Sequence, residues 1–288
     1  MRWTRGKRSR NLEDRRSQGG RIRGRPSAGV GLGGMLLVLV LSFFFGPEVM
    51  SVLGPVLTAP GAAPSVGGSQ PTTASPGEEE LVDFVSFVLD DVQSVWSQTL
   101  PQNGSRYVET QLVLFRNATR SACGLGQSAT GPFYCPGDQK VYLDLSFFDQ
   151  LRSRFGAPGD FAQAYVIAHE IGHHIQTITG IEGQVRAAQS SNPGATNRIQ
   201  VMMELQADCL AGVWGNSAAR RDRLHQGDVE EGLRAAASIG DDAIQEQSTG
   251  RVRPESFTHG SSEQRVEWFR RGLQTGDMAV CDTFGGGV

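Results

Sequence analysis

An α+β domain, mainly helical with a small β-sheet and preceded by one transmembrane helix, is the fold class this sequence predicts. Three observations carry it. An uncharged apolar run fills residues 29–45, β-favouring segments stand at 109–115 and 139–145, and from residue 160 onward apolar side chains recur at helical spacing. Strands first and helices after them mark an α+β arrangement.

Residues 1–25 hold ten Lys or Arg against two acids. So little of this stretch is apolar that it reads as a basic cytoplasmic tail over 1–28, drawn to anionic headgroups of the lipid bilayer. Residues 29–46 read as a transmembrane signal anchor, at the short end of the roughly 17–25 residues a bilayer needs. No small-x-small site closely follows its Phe-rich end, which favours an uncleaved anchor over a signal peptide. The positive-inside rule then gives a single-pass protein of the cell membrane, N-terminus cytoplasmic and the remainder extracytoplasmic. Residues 47–78, rich in Pro, Gly, Ala, Ser and Thr, read as a flexible linker, and 79–288 as the folded domain. Beyond residue 25 there are 17 basic against 28 acidic residues. That net charge of about −11 argues against a nucleic-acid partner.

Within the domain, residues 78–100 show helical spacing through Leu81, Phe84, Val85, Val88, Leu89, Val92 and Trp96. Residues 109–115 and 139–145 follow as strands. The next helix opens at Asp160, read as N-cap with Gln163 completing a capping box, and stops at Gly180. A second apolar helix contains Glu204. Charged helices follow near 228–237 and 262–273, the last capped by Ser261 or Ser262. Four cysteines suit an oxidising compartment and allow three pairings. Of these the reading takes Cys123 with Cys135, a local loop, and Cys209 with Cys281, which pins a later segment against the Glu204 helix.

The chemistry lies in His169-Glu170-Ile171-Gly172-His173. On a helix, residues four apart sit about 40° from each other, so both imidazoles reach one ion. Glu170 falls to one side, where it misses the metal yet can act as general base on a water. A third metal ligand is expected, because catalytic zinc usually takes three protein groups. Glu204 and Asp208, spaced i, i+4 on an otherwise apolar helix, are costly there unless a cation meets them. Glu204 is assigned to the metal with His169 and His173, the exchange of its role with that of Asp208 staying open. Asp208 is assigned as acceptor of a ligating histidine's outer N–H.

Three histidines remain. His174 lies on the Glu170 side and reads as a hydrogen-bonded core or cleft residue, and His225 as solvated surface. His259, at the mouth of the last helix, is either a turn-capping residue or a catalytic donor to an oxyanion. Tyr134, Tyr142 and Tyr165 are rival donors that the sequence does not rank.

The blocks Gly131-Pro-Phe-Tyr-Cys-Pro-Gly-Asp-Gln-Lys-Val-Tyr-Leu-Asp-Leu-Ser-Phe-Phe, Gly159-Asp-Phe-Ala-Gln-Ala-Tyr-Val-Ile-Ala-His-Glu-Ile-Gly-His-His-Ile-Gln and Glu204-Leu-Gln-Ala-Asp-Cys closely resemble a bacterial family, the "putative neutral zinc metallopeptidases" or YpfJ-like proteins. The resemblance runs from about residue 80 onward. It implies a zincin-like, membrane-attached, zinc-dependent peptidase acting on protein or peptide substrates. It also implies an edge strand above the metal helix that pairs with the peptide, for which 139–145 is the nominee. Thr258-His-Gly is similar to the Thr-His-Pro segment of membrane zincins, with Gly260 in place of proline. Two rival functions stay open: a catalytically silent, zinc-stabilised envelope adaptor, and a zinc amidase acting on cell-wall peptides.

Overall fold

The computed structural model describes residues 1–18 and 75–285. The expected anchor over 29–46 and nearly all of the linker lie outside the described residues. Among the described residues, no helix is long and apolar enough to cross a membrane.

Helix α1 (Pro76–Gln102) starts three residues inside the expected linker. Ser75 caps it by accepting from the Glu78 N–H, and Pro76 occupies a first-turn position where its missing N–H costs nothing. Most of the spacing read from the sequence is realised: Val85, Val88, Leu89, Val92 and Trp96 are fully buried and Phe84 is buried, while Val82 takes the fully buried place expected of Leu81, which is only partly buried.

Four strands form the main sheet: β1 (Leu12–Asp14), β2 (Gln111–Phe115), β5 (Phe133–Cys135) and β6 (Lys140–Asp144). Their spatial order is β1-β2-β6-β5, with β2 parallel to β1 and β6, and β5 antiparallel to β6. Strands β3 (Ala118–Ser121) and β4 (Gly124–Gln127) make a separate hairpin. The two expected strands exist, but the nominated edge strand does not lie at an edge. β6 is paired on both sides, so its backbone groups are already bonded, and the free edge on that side belongs to β5. The disulfide Cys123–Cys135 ties β5 to the two-residue turn joining β3 and β4.

Residues 1–18 are not a loose tail. Met1 is buried, with its ammonium 2.5 Å from Asp160 Oδ1 and 3.1 Å from Asp228 Oδ2. Trp3 meets Phe84 edge-on, and β1 pairs in register with β2, Leu12 opposite Leu112. The basic residues that suggested a solvated tail are drawn to acids on α1: Arg8 bonds Asp83 and Glu79, and Arg16 bonds Glu78 and Glu79. A segment bonded into the sheet shares one side of any membrane with the rest of the body. The expected cytoplasmic placement of residues 1–18, opposite an extracytoplasmic domain, is therefore corrected.

The remaining helices are α2 (Ser146–Ser153), α3 (Asp160–Ile178), α4 (Ile181–Ser191), α5 (Thr196–Arg220), α6 (Asp228–Ser238), α7 (Asp241–Thr249) and α8 (Ser262–Thr275). The expected Asp160 cap is not formed. Gly159 is the N-cap and makes no side-chain bond, because the Asp160 carboxylate meets the Met1 ammonium instead. At the last helix the expectation holds, with Ser261 and Gln264 forming a reciprocal capping box.

Three glycines set the helix approach that builds the site. A Cβ at Gly172 would lie 3.0 Å from the Ala207 carbonyl oxygen, so α3 and α5 are nearly in backbone contact there. A Cβ at Gly212 would lie 2.2 Å from the Phe269 oxygen, and one at Gly272 only 2.0 Å from the Cys209 oxygen. The second disulfide, Cys209–Cys281, is also as expected and fastens the segment after α8 to α5.

Candidate metal centre

The close approach of α3 and α5 brings the Glu204 turn against the His169–His173 turn. Glu204 Oε2 lies 3.2 Å from His169 Nε2 and 3.5 Å from His173 Nε2. Two imidazole nitrogens and one carboxylate oxygen thus converge within 4.8 Å of one another. Bonds of about 2.0–2.1 Å in a tetrahedral shell put neighbouring ligand atoms about 3.3 Å apart, which the separations of Glu204 Oε2 from the two imidazole nitrogens match.

The outer ring nitrogens are held as such a centre requires. His169 Nδ1 lies 2.8 Å from Asp208 Oδ1, and His173 Nδ1 lies 2.8 Å from Gln176 Oε1. Each Nδ1–H donates outward, which leaves each Nε2 lone pair facing the cluster. Gln176 is fixed in turn, because its amide N–H groups donate to the Met203 carbonyl and to Gln206 Oε1. Gln206 then donates to the carbonyl of Cys281. Glu204 Oε1 accepts from Gln200 at 3.0 Å.

Asp208 occupies its expected place and is fully buried. It accepts from the Tyr165 hydroxyl at 2.5 Å and from Arg265 Nε and Nη2 at 2.9 and 3.0 Å. Burial opposes its charge, but Arg265 and His169 hold its carboxyl below the usual range. Burial likewise opposes charge on Glu204, and the imidazoles of His173, His259 and His169 outweigh it, holding Glu204 well below an ordinary glutamate. Burial lowers His169 while Asp208 and Glu204 raise it more, to about 9. Burial pushes Glu170 upward, against the opposing pull of the His169 and His173 imidazoles and with a further push from the Glu204 carboxylate. Glu170 makes no hydrogen bond among the described residues and lines the same cleft, whose volume is about 630 Å³.

The rival hydroxyls can now be ranked. His174 Nε2 lies 2.7 Å from the Val108 carbonyl, so that nitrogen carries the proton and His174 Nδ1 accepts from Tyr134. Tyr142 donates to Asp138, and Tyr165 to Asp208. All three tyrosine protons are committed elsewhere. His259 stands in the same cleft as Glu170, with its side chain 47% exposed. His225 is exposed, as expected.

Arg265 and Gln176 were not legible as site residues. Arg265 sits in a polar helical stretch that resembles surface, yet is 2% exposed. Gln176 had a usable signal, because i+3 from His173 places it on the same helix face.

Fold and donor set together form a candidate metal centre, two histidines four apart on one helix joined by an acid from a second helix. The chain belongs to the family described as "Putative neutral zinc metallopeptidase", whose model matches residues 1–284. It is 48% identical over 290 residues to the uncharacterized protein YpfJ of Escherichia coli (strain K12), covering 99% of each chain. It is 40% identical over 241 residues, 80% of each chain, to the uncharacterized protein Rv2575 of Mycobacterium tuberculosis (strain ATCC 25618 / H37Rv). No solved structure matches the chain.

Proposed function

We propose that this protein is a membrane-anchored, zinc-dependent metallopeptidase that hydrolyses peptide bonds outside the cytoplasm. The observation that carries the reading is the convergence of His169 Nε2, His173 Nε2 and Glu204 Oε2 beside an unbonded Glu170 carboxylate. Zinc held by those three ligands supplies Lewis-acid activation of water and carbonyl. Glu170 takes the proton of the attacking water and returns it to the leaving amine. His259 donates to the carbonyl oxygen as negative charge develops on it. The extended substrate pairs with the free edge of β5, which lines the cleft through Phe133 and Tyr134.

Two disulfides favour an oxidising compartment for the body, and the docked residues 1–18 go with it. The apolar run 29–46 supports attachment to the lipid bilayer, and with residues 1–18 docked on the body that attachment is not the single crossing expected from the sequence. The test is Glu170→Gln: zinc binding should persist while peptide cleavage falls by about 10²–10⁴-fold. Unchanged cleavage would sink the assigned role. Zinc binding with no cleavage by the wild type would favour an adaptor, and cleavage restricted to cell-wall peptides would favour an amidase.

A further inference from the structure

We infer that Asp241 is the residue that positions His259, an inference that rests on the catalytic reading of the cleft. Asp241 opens α7, and its carboxylate is 4% exposed. Its Oδ2 accepts from three consecutive backbone N–H groups: Thr258 at 2.6 Å, His259 at 2.6 Å and Gly260 at 3.1 Å. Its Oδ1 lies 3.3 Å from His259 Nδ1, and its own N–H donates to the Gly260 carbonyl at 2.9 Å. One side chain thus gathers a whole turn and the ring that projects from it.

Ordinary loop packing does not account for this arrangement. A carboxylate taken out of water needs a full set of donors, and here every donor comes from the His259 turn. The turn is also seated on the metal helix. Gly260 holds φ +91°, and a Cβ there would lie 3.2 Å from Leu205 Cδ2 and 3.3 Å from Val201 Cγ1, side chains of the helix that presents Glu204. Next to Asp241, Asp242 accepts from the Ser262 N–H and hydroxyl, both at 2.7 Å, and so fixes the start of α8.

His259 Nδ1 is held between Asp241 and the Thr258 hydroxyl, 3.0 Å away. With its Nδ1–H donating to Asp241, the ring leaves Nε2 for the cleft, and that nitrogen donates from the protonated imidazole, the form the Asp241 carboxylate stabilises. A donor to a developing oxyanion must be placed to within about 0.5 Å, which a free turn does not achieve. Asp241 supplies that placement without touching substrate or metal.

The experiment is a double-mutant cycle on the zinc-loaded protein with Asp241→Ala, His259→Ala and both. Zinc affinity and the imidazole ¹⁵N–¹H correlations are read alongside kcat and KM, the chain having only five histidines. His259→Ala should lower kcat about 10²-fold with KM nearly unchanged. Asp241→Ala should lower kcat about 10–100-fold, and the double variant should be no worse than His259→Ala alone. Asp241→Asn, which keeps an acceptor for the three N–H groups, should recover much of the loss. Zinc affinity should stay within about twofold throughout.

Losses that multiply in the double variant, or a fall in zinc affinity as large as the fall in kcat, would overturn the inference. If Asp241→Ala does not fold, the same cycle run with Asp241→Ser, whose shorter hydroxyl withdraws from the imidazole, decides it. Should the wild type cleave nothing, the catalytic reading fails separately. His259 correlations that are identical in wild type and Asp241 variants would then overturn the positioning role on their own.

Discussion

Replacing Asp208 with Asn keeps the shape of the side chain and removes its charge, and the structure sets the size of both consequences. Asp208 accepts from Tyr165, from His169 Nδ1 and twice from Arg265. An amide has one acceptor oxygen, so its NH2 must face at least one of these donors, and Arg265 loses its buried counter-charge. Breaking a buried pair by removing one partner costs about 3–5 kcal/mol. The metal-free protein should be destabilised by that amount in chemical denaturation. Separately, His169 loses the acceptor that fixes its ring. Zinc affinity should fall about 10–100-fold, or roughly 1.4–2.7 kcal/mol, in competition with a chromogenic chelator. The double variant Asp208→Asn with Arg265→Met removes the unpaired cation, so it should regain stability but not zinc affinity. The reasoning is refuted if Asp208→Asn loses stability while its zinc affinity stays within twofold of wild type.

Three further outcomes follow from the geometry. Gln176→Leu frees the outer nitrogen of His173 and should weaken zinc binding about tenfold in the same competition assay. Glu79 is held low by Arg8 and Arg16; at Glu78 burial opposes the charge, and Arg116 and Arg16 outweigh it. Their contribution is therefore complete above an unfolded value of about 4.3 and is lost as pH falls below it. Hydrogen exchange at the amides of Leu112 and Arg15, which bond across β1 and β2, should accelerate below about pH 4 relative to the amides joining β2 and β6. Gly272→Ala drives a methyl group to 2.0 Å from the Cys209 oxygen, and calorimetry should show Tm lowered by about 6–12 °C.

What could be read from the sequence depended on how far apart the partners stand. His169, Glu170 and His173 share one helix turn, so their spacing encodes their geometry directly. Glu204 and Asp208 were legible for a different reason: acids on an apolar helix face require a partner even when it is unknown. Arg265, by contrast, is identifiable only through Asp208, fifty-seven residues earlier, and nothing in its own surroundings reveals burial. The same blindness affected residues 1–18. Their arginines suggested solvent because the acids that neutralise them begin at Glu78, beyond the apolar run. β5 has three residues, too few to show a period of two, so the edge above α3 was given to its longer neighbour.

The link from His173 through Gln176 and Gln206 to the carbonyl of Cys281 gives the centre a direction in time. During synthesis the two imidazoles emerge more than a hundred residues before that carbonyl, and nearly a hundred before Arg265. A nascent chain therefore holds its histidines long before it can orient them. The link closes only when those later residues have been made, and the Cys209–Cys281 disulfide then fastens the accepting residue to α5.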